Sequence, residues 1–198
     1  MKASGVILSG GRSSRMKYNK AFAEINSRSS IEIIIDKFSA FFDETIIISN
    51  EPEIYKKFGL PIYTDIYPRL GPISGIHSAL CHSGFDAIFL LGCDVPFISM
   101  PMVKYMLNKL NGFDTVVPSI DSYLQPISAV YSKSCLPLLT DCLENNKLKL
   151  TMIFEELNSL IVDENDLQQF GTIEEILFNV NDSKALITAR QIAGRLLP

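Results

Sequence analysis

Short apolar runs recur through the first half of this chain, and a stretch of helical character separates each from the next. The runs are residues 4–8, 45–48, 61–64 and 87–92; between them lie helical patterns at 29–42, 51–58 and 76–81. Parallel neighbours cannot be joined by a tight hairpin and need a crossover, commonly a helix. The alternation therefore predicts an α/β fold, a Rossmann-like three-layer sandwich whose mostly parallel central sheet is covered on both faces. Residues 87–92, Ala-Ile-Phe-Leu-Leu-Gly, are the most apolar run and are expected at the centre. Ser29 and Glu32 have capping-box spacing, so a helix should start there, with Ile31, Ile34, Ile35, Phe38, Phe41 and Phe42 as its stripe. Residues 20–25 alternate apolar and polar and read as extended, and 66–75, with two prolines and two glycines, reads as a loop before a helix at 76–81. Further strands are expected at 115–117, 126–131 and 159–162, with a polar connection over 119–125. Helices are expected from Ser99, at 135–143, at 151–157 and at the end of the chain.

The length of 198 residues suits one domain, 1–198, with room for a sizeable core. Hydrophobic content of 47% against 20% charged residues fits a soluble folded chain rather than a disordered one. A net charge of −4, with cations concentrated in one loop, argues against general nucleic-acid binding. Cys81, Cys93, Cys135 and Cys142 form no C-x-x-C pair and read as reduced, buried thiols of a cytoplasmic protein. No apolar run approaches a membrane span. His77 and His82 are isolated and read as structural or surface residues.

The first apolar run leads into Leu8-Ser9-Gly10-Gly11 and then a loop holding Arg12, Arg15, Lys17 and Lys20. Glycines let backbone amides approach a ligand closely, Arg grips phosphate in a fork, and Lys adds a mobile point charge. This suits a polyphosphate, although neither P-loop nor dinucleotide-fingerprint spacing is present. The plainer alternative is a surface turn carrying incidental cations.

Asp94 directly follows the 87–92 run. With the first four strands in the order 3-2-1-4, it would face the basic loop across the switch point at the strands' carboxyl ends. A carboxylate there suits Mg²⁺, which prefers oxygen ligands and substrate phosphates; a turn former is the alternative. Asn50 and Asp65 end the second and third strands on the same edge, where they can read a base or a ribose, or simply serve as turn residues.

Leu8, Gly10, Gly11, Ser13, Arg15, Met16 and Lys20 together resemble the signature L-x-G-G-x-S-x-R-M-G-x-x-K of the molybdenum cofactor guanylyltransferases, with Lys17 where the signature has Gly. Cys93-Asp94-Val95-Pro96-Phe97 is similar to that family's Cys-Asp-x-Pro-Phe segment, and Gly71-Pro72-Ile73-Ser74-Gly75 to its G-P-L-x-G element. Gln125-Pro126-Ile127 and Asn179-Val180-Asn181 resemble two further elements, the latter followed by Asp182-Ser183-Lys184 instead of the usual Thr-Pro-Glu. The resemblance implies a nucleotidyltransferase fold and transfer of GMP from GTP to the phosphate of molybdopterin, releasing pyrophosphate. It implies catalytic roles for Arg15, Lys20 and Asp94, with Asp94 holding Mg²⁺. It implies nucleotide contacts from Leu8, Ser9, Gly10, Gly11, Lys20, Asn50, Asp65, Gly71 and Gly75, and pterin contacts from Gln125, Pro126, Asn179 and Asn181. The implied partners are GTP and molybdopterin, with transient contact to molybdoenzymes or cofactor-delivery proteins, no nucleic acid and no membrane; a monomer is expected. Lys147 and Lys149 read as a solvated helix end. Two alternatives stay open: a sister transferase using CTP on molybdopterin or on a sugar or polyol phosphate, whose relatives tend to read Leu-Ala-Ala-Gly where this chain has Leu8-Ser9-Gly10-Gly11, and a nucleotide-binding module without turnover.

Overall fold

Strand β1 (Ser4–Leu8) runs parallel to both of its neighbours and buries all but its last residue. The computed structural model describes residues 2–10 and 20–196, so the readings of Gly11, Arg12, Ser13, Arg15, Met16 and Lys17 lie outside the described residues. Residues 20–25 depart from the extended expectation. Lys20–Phe22 is a single 3-10 turn, closed by the Ala23 N–H donating to the Lys20 carbonyl at 3.0 Å. Only β2 (Glu24–Ile25) is extended, paired antiparallel with β3 (Arg28–Ser29). Asn26 and Ser27 between them have φ of 47° and 69°, as a two-residue hairpin turn requires.

Helix α1 (Ser30–Phe41) begins where the capping box predicts: the Glu32 carboxylate accepts from the Ser29 N–H at 2.7 Å and from its hydroxyl at 2.6 Å. Strand β4 (Glu44–Ile48) follows, then a 3-10 helix over Pro52–Phe58 that ends at Gly59 (φ 69°), and the short β5 (Ile62–Tyr63). Helix α2 (Pro72–His82) starts four residues before the expected 76. Pro72 sits at its first position, where a missing N–H costs nothing, so the Gly-Pro element belongs to the helix start.

Strand β6 (Ala87–Gly92) is wholly buried, and α3 (Met100–Lys109) starts after Ser99 with Pro101 in its first turn. The expected polar connection is a hairpin: β7 (Thr115–Ile120) turns at Asp121 and Ser122, both with positive φ, into β8 (Tyr123–Leu124). Strand β9 (Ser128–Ser132) then runs antiparallel to β6 and β7. After it come α4 (Leu136–Glu144), α5 (Leu150–Glu156) and β10 (Ser159–Val162), the last parallel to β7. Two four-residue helices, α6 (Glu164–Leu167) and α7 (Ile173–Ile176), precede α8 (Ser183–Leu196).

Among the described residues the main sheet runs β10–β7–β9–β6–β1–β4–β5, with β8 paired to β7. Alternation along β1 sends Val6 and Ile7 to opposite faces. Ile7, Ile47, Phe89 and Leu91 pack with Ile31 and Phe38 of α1 and Met102 and Met106 of α3. Val6, Ile46, Ile88 and Leu90 pack with Ile76 and Leu80 of α2, Leu139 of α4 and Ile153 of α5. This is the three-layer arrangement. A third cluster, Ala23, Ile25, Ile33, Phe97, Val180, Leu186, Ala189 and Ile192, fastens α8 to the small hairpin. Cys135 and Cys142 are buried as expected, but Cys81, in the last turn of α2, is exposed and Cys93 is half-buried; all four are free. Among the described residues no helix is long and apolar enough to cross a membrane.

Candidate active site

The carboxyl ends of β1, β4, β5 and β6 are knitted into one rim by backbone bonds that continue past the strands. The Ser9 N–H donates to the Ile48 carbonyl, the Ser49 N–H to Tyr63, and the Cys93 N–H to Leu8, at 2.9, 2.9 and 3.1 Å. Pairing to the neighbouring strand therefore extends one residue past the ends of β1, β4 and β6. Residues just beyond them, Gly10, Asn50, Asp65 and Asp94, share this edge.

Asp94 is held tightly. Its backbone carbonyl accepts from the Val180 N–H at 2.8 Å, and the carbonyl of Cys93 before it accepts from the Ser30 hydroxyl at 2.7 Å. Beneath the carboxylate lies Gly92, where a Cβ would stand 2.8 Å from Asp94 Oδ1 and 3.2 Å from Ile127 Cγ2. No other residue type fits at 92 without moving one of them. Burial raises the Asp94 pKa, and the Lys20 ammonium opposes that shift. The neighbouring Cys93 thiol is pushed up to about 12, first by burial and then by the Asp94 charge, so it is protonated at neutral pH.

Lys20 reaches the same place from the 3-10 turn. Its Nζ lies 3.8 Å from Asp94 Oδ2 and donates a hydrogen bond to Asn181 Oδ1. The sequence reading thus has two of its three catalytic candidates side by side; the third, Arg15, lies outside the described residues. Against Asp94 opens a cleft of about 240 Å³ lined also by Gln125, Pro126, Ile127 and Asn179. Gln125, Pro126 and Asn179 therefore meet at one wall, whereas Asn181 is turned to Lys20.

Asn50 and Asp65 form a separate unit. The Asn50 Nδ2 donates to Asp65 Oδ2 at 2.7 Å, and the Asp65 N–H donates to Asn50 Oδ1 at 3.2 Å. Burial raises the Asp65 pKa, and the bond from Asn50 works against it. With strands about 4.8 Å apart, this pair sits roughly 10–14 Å along the rim from the β6 end that carries Asp94. That separation suits the two ends of one extended nucleoside triphosphate.

Several residues expected at the nucleotide are engaged within the chain itself, in packing or in turns. Ser9 is buried with its hydroxyl against the Tyr55 hydroxyl. Leu8 packs over Gly75, whose missing Cβ is what lets α2 approach β1, since an added one would overlap Leu8 Cδ1. Gly71, with φ 78°, is the exposed residue that turns the chain into α2. Gly10 is exposed, and apart from its chain neighbours no described residue lies within 4 Å of where its Cβ would stand. As to metal, the described residues hold no group of three or more His, Cys, Asp or Glu side chains able to form a cage. A lone, hard carboxylate does fit Mg²⁺, which is commonly bound through one or two carboxylates, with water and phosphate completing its shell.

Sequence reasoning missed Gly92, Ser30 and Val180. Gly92 reads as an ordinary strand end, Ser30 as the residue after a cap, and Val180 as a spacer. Their effect on Asp94 exists only once distant segments meet.

The family model described as MobA-like NTP transferase domain matches residues 5–160. A Clostridium perfringens protein named "Probable molybdenum cofactor guanylyltransferase" is 44% identical over 165 residues, covering 83% of each chain. A Pelotomaculum thermopropionicum protein of the same name is 36% identical over 193 residues, 98% of this chain and 94% of its own. Among solved structures, molybdopterin-guanine dinucleotide biosynthesis protein A from Archaeoglobus fulgidus superposes with a TM-score of 0.85 at 24% identity, covering 97% of this chain and 99% of that one, and shares the fold.

Proposed function

This chain belongs to the MobA-like NTP transferase domain family, and on that premise we propose that it transfers GMP from GTP to the terminal phosphate of molybdopterin. The observation that carries the proposal is the Lys20 ammonium set 3.8 Å from the Asp94 carboxylate at the rim between β1 and β6. Opposite charges at a strand-end crevice match a triphosphate with a divalent cation. Asp94 would hold Mg²⁺, which when bound neutralises phosphate charge. Lys20 binds the β- and γ-phosphate oxygens and stabilises the charge on the departing pyrophosphate, with Arg15 assigned the same task. The acceptor's phosphate oxygen forms the new bond to the α-phosphorus as the bond to the β-phosphate oxygen breaks. No proton has to be removed, because the attacking oxygen is already anionic. Alignment and electrostatics carry the reaction.

Asp65, fixed by Asn50, is assigned to the base, where its carboxylate accepts from an N–H donor. Guanine and cytosine both offer such a donor, so the choice of GTP rests on the family and not on this carboxylate. Gly10, Gly71 and Gly75 are assigned to the nucleotide side through the backbone they shape, together with Leu8 and Ser9, and the sequence motif assigns Gly11 to the same side. The cleft beside Asp94 then receives the pterin against Gln125, Pro126 and Asn179. The proposal includes one domain spanning 1–198, acting as a cytoplasmic monomer that meets molybdoenzymes or cofactor-delivery proteins transiently. Binding of GTP, CTP and ATP with Mg²⁺, measured side by side and followed by pyrophosphate release on adding molybdopterin, tests it. GTP should bind best and turn over; a preference for CTP would overturn the guanylyl assignment.

A further inference from the structure

The Lys20 ammonium is held from the other end of the chain. Its hydrogen-bond partner, Asn181 Oδ1, is 161 residues away in sequence. Asn181 lies beyond residue 160, where the family match ends. We propose that Asn181 is a positioning residue for Lys20, so that the C-terminal segment completes the triphosphate side of the site. This rests on the reading of Lys20 as a triphosphate contact and assigns Asn181 a task different from touching the acceptor.

Three observations make Asn181 a firm anchor. Val180 before it is wholly buried, and its N–H donates to the Asp94 carbonyl at 2.8 Å. Asp182 after it accepts from the Ala185 N–H at 2.8 Å and so caps the first turn of α8. Helix α8 is in turn fastened to the hairpin that follows Lys20, where the Arg190 guanidinium donates to the Glu24 carbonyl at 3.2 and 3.1 Å. Both ends of the Lys20–Asn181 bond are therefore tied to the same small body.

A lysine needs such help. Its stem has four rotatable carbons, and fixing them on a ligand costs much of that freedom. Asp94 alone cannot fix it, because 3.8 Å is an ionic contact without hydrogen-bond direction. An ammonium has three donors, so a bond to a neutral amide oxygen is compatible with phosphate binding and leaves the positive charge uncancelled. Asn179, two residues earlier, lines the cleft beside Asp94 instead. The two asparagines thus divide their work, one facing the acceptor cleft and one the donor's cation.

The test is a double-mutant cycle on GTP binding without acceptor, using Asn181→Leu, Lys20→Ala and the pair. Asn181→Leu should weaken Mg²⁺–GTP binding by about 10- to 100-fold, the range for a hydrogen bond to a charged group. In the Lys20→Ala background the same change should alter affinity by less than about twofold, since there is no ammonium left to place. The acceptor KM should stay as in the wild type. Unchanged GTP affinity, multiplicative effects, or a change confined to the acceptor KM would each overturn the inference. If Asn181→Leu does not fold, Asn181→Ala runs the same cycle. Failure of the underlying reading looks different: Lys20→Ala alone would then bind GTP as the wild type does.

Discussion

The Asp94 carboxylate rests on backbone with no side chain under it, and that defines what the residue can tolerate. Gly92→Ala places a methyl 2.8 Å from Asp94 Oδ1, so the carboxylate must swing away. Displacing a group from its working geometry without removing it should lower turnover by about 10- to 100-fold, the usual cost of disturbing a metal ligand's support. Thermal melting should move only a few degrees, because Gly92 ends a strand that keeps its pairing. Turnover within twofold of wild type would mean that the Asp94 orientation does not matter. Asp65 permits a second residue-scale test. Asp65→Asn replaces an acceptor-only group with one that also donates, so GTP should bind about 10-fold more weakly. Inorganic pyrophosphate, which lacks the base, should bind with unchanged affinity; equal losses for both ligands would place Asp65 on the phosphates.

At the scale of elements, α1 does more than cover the sheet. Ser30 at its start holds the Cys93 carbonyl, and Lys37 two turns on donates to the Ile98 carbonyl at 2.9 Å, so the helix brackets the loop that carries Asp94. Burial lowers the Lys37 pKa from 10.5 to about 8. Below about pH 8 the folded and unfolded chains both carry the proton, and the folded state bears the full cost of burying it. Between about 8 and 10.5 the unfolded chain holds a proton that the folded one has released, so this contribution to stability rises with pH. Wild type should therefore gain about 3 kcal/mol relative to Lys37→Met over that window, by urea unfolding at the two pH values. A flat difference would show that Lys37 is solvated. Much of this layering is readable in the chain itself. Residues 87–92 are apolar throughout because both faces of β6 are covered, and the Ser29–Glu32 spacing marks the start of α1 to the residue. The helices α6 and α7, four residues each, are too short to show a period. The hairpin at Asp121 and Ser122 lacks the usual glycine and takes its positive φ on polar residues. The supports of Asp94 have no local signature, because Gly92, Ser30 and Val180 are defined by a contact and not by spacing.

Across the whole molecule, a chain of net charge −4 must attract a triphosphate through a small number of placed cations. The C-terminal segment beyond the family-matched residues contributes to that placement. It buries Val180, Leu186, Ala189 and Ile192 against Ala23 and Ile25 of the hairpin that follows Lys20. Removing residues 179–198 should cost several kcal/mol, at about 1.5–3 kcal/mol for each large aliphatic side chain exposed, and should abolish GTP binding along with the support of Lys20. Calorimetric melting and nucleotide titration of the truncated chain check both parts; GTP binding retained at wild-type strength would detach the segment from the site. The central claim, that Lys20 and Asp94 serve one Mg²⁺-bound triphosphate, is tested most directly by the Mg²⁺ dependence of GTP affinity in wild type, Lys20→Ala and Asp94→Asn. The account predicts that Mg²⁺ tightens GTP binding to the wild type, that Asp94→Asn loses this gain while still binding metal-free GTP, and that Lys20→Ala is weak with or without metal. A full Mg²⁺ gain in Asp94→Asn, or wild-type affinity in Lys20→Ala, would contradict it.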